Sequence, residues 1–190
     1  PQSSRWYPGA GLYRNVRLVT TERVHVPVWG TQLTTPHVSA EYASVRLRTT
    51  IRNAGDADVR ISTDIIAPDG KIVARKDNSR KINHGQPFEQ NFLINAPSLW
   101  SPETPYLYKA VSKIYVDGKQ TDEYTTRFGI RSIEIIADKG FFLNGKHRKF
   151  QGVCNHHDLG PLGAAVNVAA LRSQLTLLKD MGCDAVRTSH

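Results

Sequence analysis

Gly152-Val153-Cys154-Asn155-His156-His157-Asp158 is the stretch that decides the fold of the last third of the chain. The residues from Lys149 to Cys154 have the composition of a short buried strand, and polar residues follow that strand at once. The same pattern closes the sequence, where a second strand is predicted from Cys183 to Val186, before Arg187-Thr188-Ser189-His190. We therefore predict two strands that each end in a cluster of polar side chains.

An amphipathic helix is predicted between these two strands. Asn167 is a suitable N-cap, and Gly182 is placed to end the helix in the left-handed conformation. The apolar positions recur at helical spacing on one face, namely Val168, Leu171, Leu175, Leu178 and Met181. A strand, a helix and a second, parallel strand make a βαβ unit, and α/β barrels place active-site side chains where such strands end.

The region from residue 21 to about 126 has the alternating pattern of half-buried strands. Val45, Leu47 and Ile51 alternate with charged or polar residues, and several later segments do the same. Some seven strands in about a hundred residues, with short turns and no helical pattern, predict an immunoglobulin-like sandwich. Its first strand is expected at residues 24–29, and a separate strand is expected at residues 16–19. Asp117-Gly118 and Asn144-Gly145 predict tight hairpins.

Composition and charge exclude some classes of function. The formal net charge is +8, but the basic residues alternate with apolar ones along predicted strands, as on solvated faces. No basic run is interleaved with stacking aromatics, so we expect no nucleic-acid partner. No run of eighteen or more uncharged apolar residues is present, so we expect no membrane partner either. The cellular compartment is left open.

Four pieces of the sequence resemble glycoside hydrolase family 2, which contains β-galactosidases, β-glucuronidases and β-mannosidases. They occur in the family's order, as Trp6-Tyr7-Pro8-Gly9-Ala10-Gly11-Leu12-Tyr13-Arg14, Arg127-Phe128-Gly129, Phe142-Leu143-Asn144-Gly145-Lys146 with Gly152-Val153, and Ala185-Val186-Arg187-Thr188-Ser189-His190. The resemblance implies a mainly β chain with three parts. Residues 1–20 would be the C-terminal tail of a jelly-roll sugar-binding domain, residues 21–126 the sandwich, and residues 127–190 the truncated N-terminal part of a TIM barrel.

The resemblance also implies a sugar-binding role for the polar clusters. Taken alone, the cluster of His156, His157 and Asp158 fits a metal site, an acid/base pair or a polar turn. By resemblance, His156 and His190 hydrogen-bond sugar hydroxyls and stabilise the transition state, and Arg187 shapes the floor of the subsite. Asn155 and Asp158 lie in the loop that borders the bound sugar. The family commonly has Arg or Lys where this chain has Asn155, which leaves the subsite preference open.

No catalytic residue is expected in this chain. A retaining glycosidase needs two carboxyl groups about 5–5.5 Å apart, and Glu134 is the one glutamate between residues 127 and 190. The family's catalytic glutamates would lie beyond His190. We therefore expect a non-catalytic fragment of a β-galactosidase, with β-glucuronidase, β-mannosidase and a stand-alone carbohydrate-binding or structural sandwich as alternatives. The expected partner is a carbohydrate, a β-galactoside. No cofactor is expected in this stretch; a divalent or monovalent cation in the rest of the barrel and a homo-oligomer are left open.

Overall fold

A computed structural model describes residues 11–12, 14–52, 57–81 and 87–189. The chain divides into two compact units. The unit Thr20–Arg148 is built of strands, and the other unit combines the two ends of the chain, Pro1–Val19 and Lys149–His190. The predicted division into domains at residues 20 and 126 is a statement about sequence domains and stays a prediction.

Seven antiparallel strands form the sandwich among the described residues of the middle unit. One sheet has the order β1-β2-β5 and the other has the order β4-β3-β6-β7. The strands are β1 (Thr31–Val38), β2 (Tyr42–Thr49), β3 (Asp58–Ile66), β4 (Ile72–Lys81), β5 (Phe88–Asn95), β6 (Tyr108–Val116) and β7 (Lys119–Phe128). Two antiparallel sheets of three and four strands confirm the predicted immunoglobulin-like architecture.

Two of the predicted strands are wrong. Residues 16–19 belong to no strand in the described part of the chain, and Leu18 is 92% exposed. Residues 24–29 form only the isolated bridge between His25 and Arg52, because a turn closes at Gly30, whose N–H donates to the Pro27 carbonyl at 2.8 Å. The strand that opens the sandwich is β1. It was not predicted because Pro36 and an irregular register interrupt its alternating pattern.

A layer of four polar side chains crosses the middle of the sandwich core. They are each at most 1% exposed and occupy one inward position on each of four strands, as Thr49, Thr63, Gln90 and Ser112. Apolar side chains form one cluster on either side of this layer. Along β3, for example, Ile61 belongs to one cluster and Ile65 to the other. We call these four residues the polar layer.

Hydrogen bonds in the polar layer join the two sheets. The Thr63 hydroxyl donates to Oε1 of Gln90 at 2.7 Å and lies 2.9 Å from the Ser112 hydroxyl. The Gln90 amide nitrogen donates to the Lys76 carbonyl and to Oδ1 of Asn78, both at 3.1 Å. Gln90 lies in the three-stranded sheet and its partners lie in the four-stranded sheet. The side chain of Gln90 is therefore a cross-link through the core.

Tyr108 anchors the start of β6 in the manner of the tyrosine corner of immunoglobulin-like domains. Its side chain is 2% exposed, and its hydroxyl accepts a hydrogen bond from the Ser98 N–H at 2.8 Å. The bond fixes the loop that connects β5 to β6. It satisfies a buried phenol that would otherwise be costly to desolvate.

A small three-stranded sheet follows the sandwich within the same unit. Its strands are β8 (Ile133–Ile136), β9 (Gly140–Leu143) and β10 (Lys146–His147), in the order β10-β9-β8. Asn144 and Gly145 both have positive φ, 51° and 73°, as the predicted type I′ hairpin requires. Asp117 and Gly118 at the β6–β7 turn have φ of 50° and 80°, so both predicted hairpins are confirmed.

The other unit contains the predicted strand–helix–strand segment. Strand β11 (Gly152–His156) pairs in parallel with β12 (Ala185–Ser189), and helix α1 (Val168–Asp180) lies between them in the sequence. Both strands begin and end later than predicted, so they include the start of the polar motifs. A 3₁₀ turn, Gly160–Leu162, follows β11. The parallel pairing confirms the predicted βαβ arrangement.

Both ends of α1 are capped as the sequence indicates. The Asn167 side chain accepts a hydrogen bond from the Ala170 N–H at 2.8 Å. At the other end Gly182 has φ of 96°, and the Cys183 N–H donates to the Leu178 carbonyl at 3.0 Å, which is the Schellman arrangement. No residue of α1 is buried. No helix in the described part of the chain has the length and apolar character needed to cross a membrane.

Candidate functional site

A cleft of about 710 Å³ lies in the unit formed by the two ends of the chain. Its apolar wall is formed by the loop before α1, which includes Val166, and by the first turns of α1, which include Leu171. Its polar wall is made by six side chains, Arg14, Asn15, Asn155, His156, His157 and Thr188. Asn167, the N-cap of α1, also lines it. One apolar wall and one wall of hydrogen-bonding groups suit a polar ligand with an apolar face.

The parallel register brings two of the polar side chains together. Asn155 in β11 is the register partner of Thr188 in β12, near the C-terminal ends of both strands. His156 is the last residue of β11, and His157 follows it directly; both are half-buried. Since parallel strands end on the same edge of a sheet, the pairing places these groups on one rim. Close pairing needs Gly152, because a Cβ there would lie 2.2 Å from the Ala185 carbonyl oxygen.

The structure brings together some of the predicted site residues and not others. Asn155 and His156 line the cleft. Arg187 does not line it, and its guanidinium donates to Sγ of Cys154, its register partner, at 3.6 Å. Cys154 and Arg187 each precede a residue of the lining pair Asn155 and Thr188, and their side chains contact each other and do not line the cleft. Asp158 is exposed and does not line the cleft. His190 lies outside the described residues.

Arg14 and Asn15 are lining residues that the sequence did not predict. They are about 140 positions from Asn155, and no spacing pattern connects the two places. The one available hint was that Arg14 belongs to the first of the four family-like pieces. Asn167 was predicted only as a helix cap; its side chain has that role and also borders the cleft.

The cleft can bind, but its described lining holds no carboxylate. The groups that line it are a guanidinium, two imidazoles, side-chain amides and a hydroxyl. Asp184 precedes β12 and has a structural role, because its Oδ1 accepts a hydrogen bond from the Gln151 N–H at 2.8 Å. Among the residues that the structure describes, no group of three or more His, Cys, Asp or Glu side chains could hold a metal ion. The lining is therefore equipped to donate and accept hydrogen bonds.

Comparison with protein-family models identifies the class of the protein. The model for glycosyl hydrolases family 2 matches residues 26–131, and the model for the family's TIM barrel domain matches residues 134–190. The chain belongs to glycosyl hydrolases family 2. The resemblance that the four sequence pieces indicated is thereby confirmed.

Individual relatives give two different activities in their names. The chain is 43% identical to the β-galactosidase BoGH2A of Bacteroides ovatus over 192 residues, covering 99% of this chain and 23% of the relative. It is 38% identical to a putative β-glucuronidase of Formosa agariphila, covering 99% of this chain and 18% of the relative. A β-glycosidase structure from Bacteroides vulgatus superposes with a TM-score of 0.88 at 35% identity, covering 98% of this chain and 24% of that one. The chain thus spans a quarter or less of the length of these proteins.

Proposed function

We propose that the chain is the non-catalytic part of a retaining glycoside hydrolase that cleaves terminal β-galactosides. The observation that carries this proposal is the cleft in which Asn155, His156 and Thr188 meet at the ends of two parallel strands. The β-galactosidase relative supports galactose as the first choice of sugar. The sandwich is proposed as the spacer between larger domains.

The lining residues suggest separate roles toward a bound sugar. The imidazole of His156 and the side chains of Asn155 and Thr188 exchange hydrogen bonds with ring hydroxyls, while Leu171 and Val166 lie against the apolar face of the ring. Such hydroxyl contacts strengthen as the sugar approaches the oxocarbenium-like transition state. His190, Arg187 and Asp158 remain proposed sugar-binding residues, although Arg187 and Asp158 do not line the cleft described above.

Bond cleavage is assigned to residues outside this chain. Retaining hydrolysis requires an acid/base and a nucleophile about 5–5.5 Å apart, and none of the described lining residues carries a carboxyl group. The relatives are more than four times as long as the stretch that they share with this chain. We propose that the two glutamates belong to that additional length.

Two alternatives have a specific observation in their favour. The guanidinium of Arg14 in the cleft would suit a negatively charged sugar, and one relative is named a putative β-glucuronidase. β-Mannosidase activity is the third choice within the family and has no such observation. Among the residues that the structure describes, a stand-alone carbohydrate-binding module is favoured only by Trp29, which is 91% exposed. Trp100 is half-buried beneath the guanidinium of Arg131 and gives that alternative no support.

The proposal is tested by the variant His156→Gln in a protein that carries this chain within its complete barrel. We expect kcat/KM on an aryl β-galactoside to fall about 100-fold, which corresponds to about 3 kcal/mol of lost transition-state stabilisation. His37→Gln is the matched control, because His37 is exposed in β1 and does not line the cleft. Unchanged kcat/KM in His156→Gln would contradict the assignment. A higher kcat/KM on the aryl β-glucuronide or β-mannoside than on the galactoside would replace galactose as the sugar.

A further inference from the structure

Asn144 binds the turn of the β9–β10 hairpin to two other stretches of the chain. Its backbone N–H donates to the Ser132 carbonyl at 3.0 Å, and its Oδ1 accepts from the Ser132 N–H at 3.1 Å. Its amide nitrogen donates to the Trp100 carbonyl at 3.0 Å. The same residue supplies the positive φ that the hairpin turn needs. Asn144 therefore both shapes the hairpin and attaches it to the loop between β5 and β6.

Trp100 is the residue around which this attachment is built. Its N–H donates to the Ile130 carbonyl at 2.8 Å. A Cβ on Gly129 would lie 2.9 Å from the Trp100 side chain, so the close approach of the indole requires glycine there. The Arg131 guanidinium covers the ring, with its carbon 4.5 Å from the ring centroid. Ile130 is fully buried beside these contacts.

An ion pair closes the far end of the hairpin. The two terminal guanidinium nitrogens of Arg148 donate to the carboxylate of Glu103, at 2.6 and 3.2 Å. This bidentate bond and the Glu103 backbone, with a contribution from Ser101, lower the pKa of Glu103 from 4.5 to about 2. The pair therefore stays ionised throughout the ordinary pH range, and it fixes the end of the hairpin to the same loop that carries Trp100.

We propose that this loop, Trp100 to Glu103, is a docking surface for the β8–β10 hairpin, which makes Thr20–Arg148 one cooperative folding unit. Two of the family-like pieces, Arg127-Phe128-Gly129 and Phe142-Leu143-Asn144-Gly145-Lys146, then serve this docking through Gly129 and Asn144. The family model for the barrel begins at residue 134, yet Asn144 and Arg148 bond to the loop between β5 and β6. The inference is independent of which sugar the protein binds.

Hydrogen exchange on the 190-residue chain, read by mass spectrometry, tests the proposal with Asn144→Gly. Glycine keeps the positive φ but removes the side-chain bonds to Ser132 and Trp100. In one cooperative unit, the β8 and β9 amides and the slowest-exchanging amides of the sandwich strands should exchange faster by one common factor, roughly 10- to 100-fold, since the two side-chain hydrogen bonds of Asn144 are lost. Asp117→Gly is the matched control, because it likewise introduces glycine at the equivalent positive-φ turn position of the other hairpin, away from the docking loop. It should leave β8 and β9 unchanged.

Other outcomes also decide the proposal. If Asn144→Gly unfolds the whole sandwich while Asp117→Gly does not, the cooperative unit is supported. Glu103→Gln, in an exposed loop, should accelerate exchange in the hairpin peptides and in the slowest sandwich peptides alike, by a smaller factor. The proposal is overturned if Asn144→Gly accelerates the hairpin amides but leaves the slowest sandwich amides unchanged. It is also overturned if the wild-type hairpin exchanges as fast as the exposed turn at residues 68–70, or if Asn144→Gly and Asp117→Gly affect β8 and β9 equally.

Discussion

Replacement of Gln90 by leucine should destabilise the sandwich although it adds an apolar side chain to an apolar core. The Gln90 amide is the cross-link of the polar layer: it accepts from Thr63 and donates to the Lys76 carbonyl and to Asn78. Leucine removes the hydrogen bonds of these three partners to Gln90. Water cannot easily replace them, because the site is buried and Gln90 is only 1% exposed. A buried group that loses its partner costs about 1–3 kcal/mol.

The magnitude follows from which partners can be satisfied again. In Gln90→Leu the Thr63 hydroxyl can still bond Ser112, 2.9 Å away, so we expect a loss of about 2–3 kcal/mol in the free energy of unfolding. In Thr63→Val, an almost isosteric change, Oε1 of Gln90 and the hydroxyl of Ser112 both lose a partner, so we expect about 2–4 kcal/mol. In the double variant Gln90 is absent and so cannot be left unpaired. The double variant should therefore also lose about 2–4 kcal/mol in the free energy of unfolding, well below the sum of the two single losses.

Urea unfolding of the wild type, the two single variants and the double variant gives the coupling free energy between Gln90 and Thr63. We expect a coupling of about 1–3 kcal/mol in the direction that makes the double variant less costly than the sum. Ser112→Ala added to the double variant should recover stability, because it removes the last hydroxyl of the network. Thr31→Val is a suitable control, since Thr31 is half-buried on β1 and bonds Thr126 outside the polar layer. It should be additive with Gln90→Leu.

Additive losses for Gln90→Leu and Thr63→Val, within about 0.5 kcal/mol, would refute this reasoning. They would mean that the two side chains contribute independently and that the hydrogen bond between them carries no coupled stability. A double variant more costly than the sum would refute it as well.

The remaining predictions concern the ion pair and the strand contact. Glu103 has its pKa lowered to about 2 from 4.5, so its pairing with Arg148 stabilises the fold above pH 4.5, and that contribution is lost as the pH falls from 4.5 toward 2. The difference in melting temperature between wild type and Glu103→Gln should therefore be largest at neutral pH and shrink across that window; a difference that grows on acidification would contradict it. Gly152→Ala would place a methyl group 2.2 Å from the Ala185 carbonyl oxygen, so the β11–β12 pairing should be lost, with exchange protection of those amides falling to that of exposed loops. Gly145→Ala, whose Cβ would meet no atom within 4 Å, strains only the positive-φ turn of the β9–β10 hairpin and should leave β11 and β12 protected. Equal protection in Gly152→Ala and wild type would show the contact to be wrong.

The regular elements were predictable because their determinants are local. The alternation of Val45 and Leu47 with charged residues defined β2, and the helical spacing with its Asn167 cap and Gly182 terminator defined α1. Strand β1 was not predicted because Pro36 and the shift in register between Thr34 and His37 break the alternation of inward and outward side chains. Residues 16–19 have a strand-like composition, but composition cannot show whether a partner strand exists.

The site was predicted only in part because a cleft depends on long-range packing. Asn155 and His156 could be found from a polar motif that follows a strand. Arg14 and Asn15 could not, since their place in the cleft depends on the course of a segment remote in sequence. The direction of Arg187 toward Cys154 depends on the register of β12 against β11, and a difference of one residue would reverse it.

The proposed division between binding and catalysis is tested most directly by one pair of assays. Hydrolysis of an aryl β-galactoside is measured for the 190-residue chain alone and for a protein that carries the same chain within a complete barrel. The account predicts turnover by the longer protein and none above the buffer rate for the 190-residue chain, whose described cleft lining has no carboxyl pair. Turnover by the 190-residue chain well above buffer would contradict it.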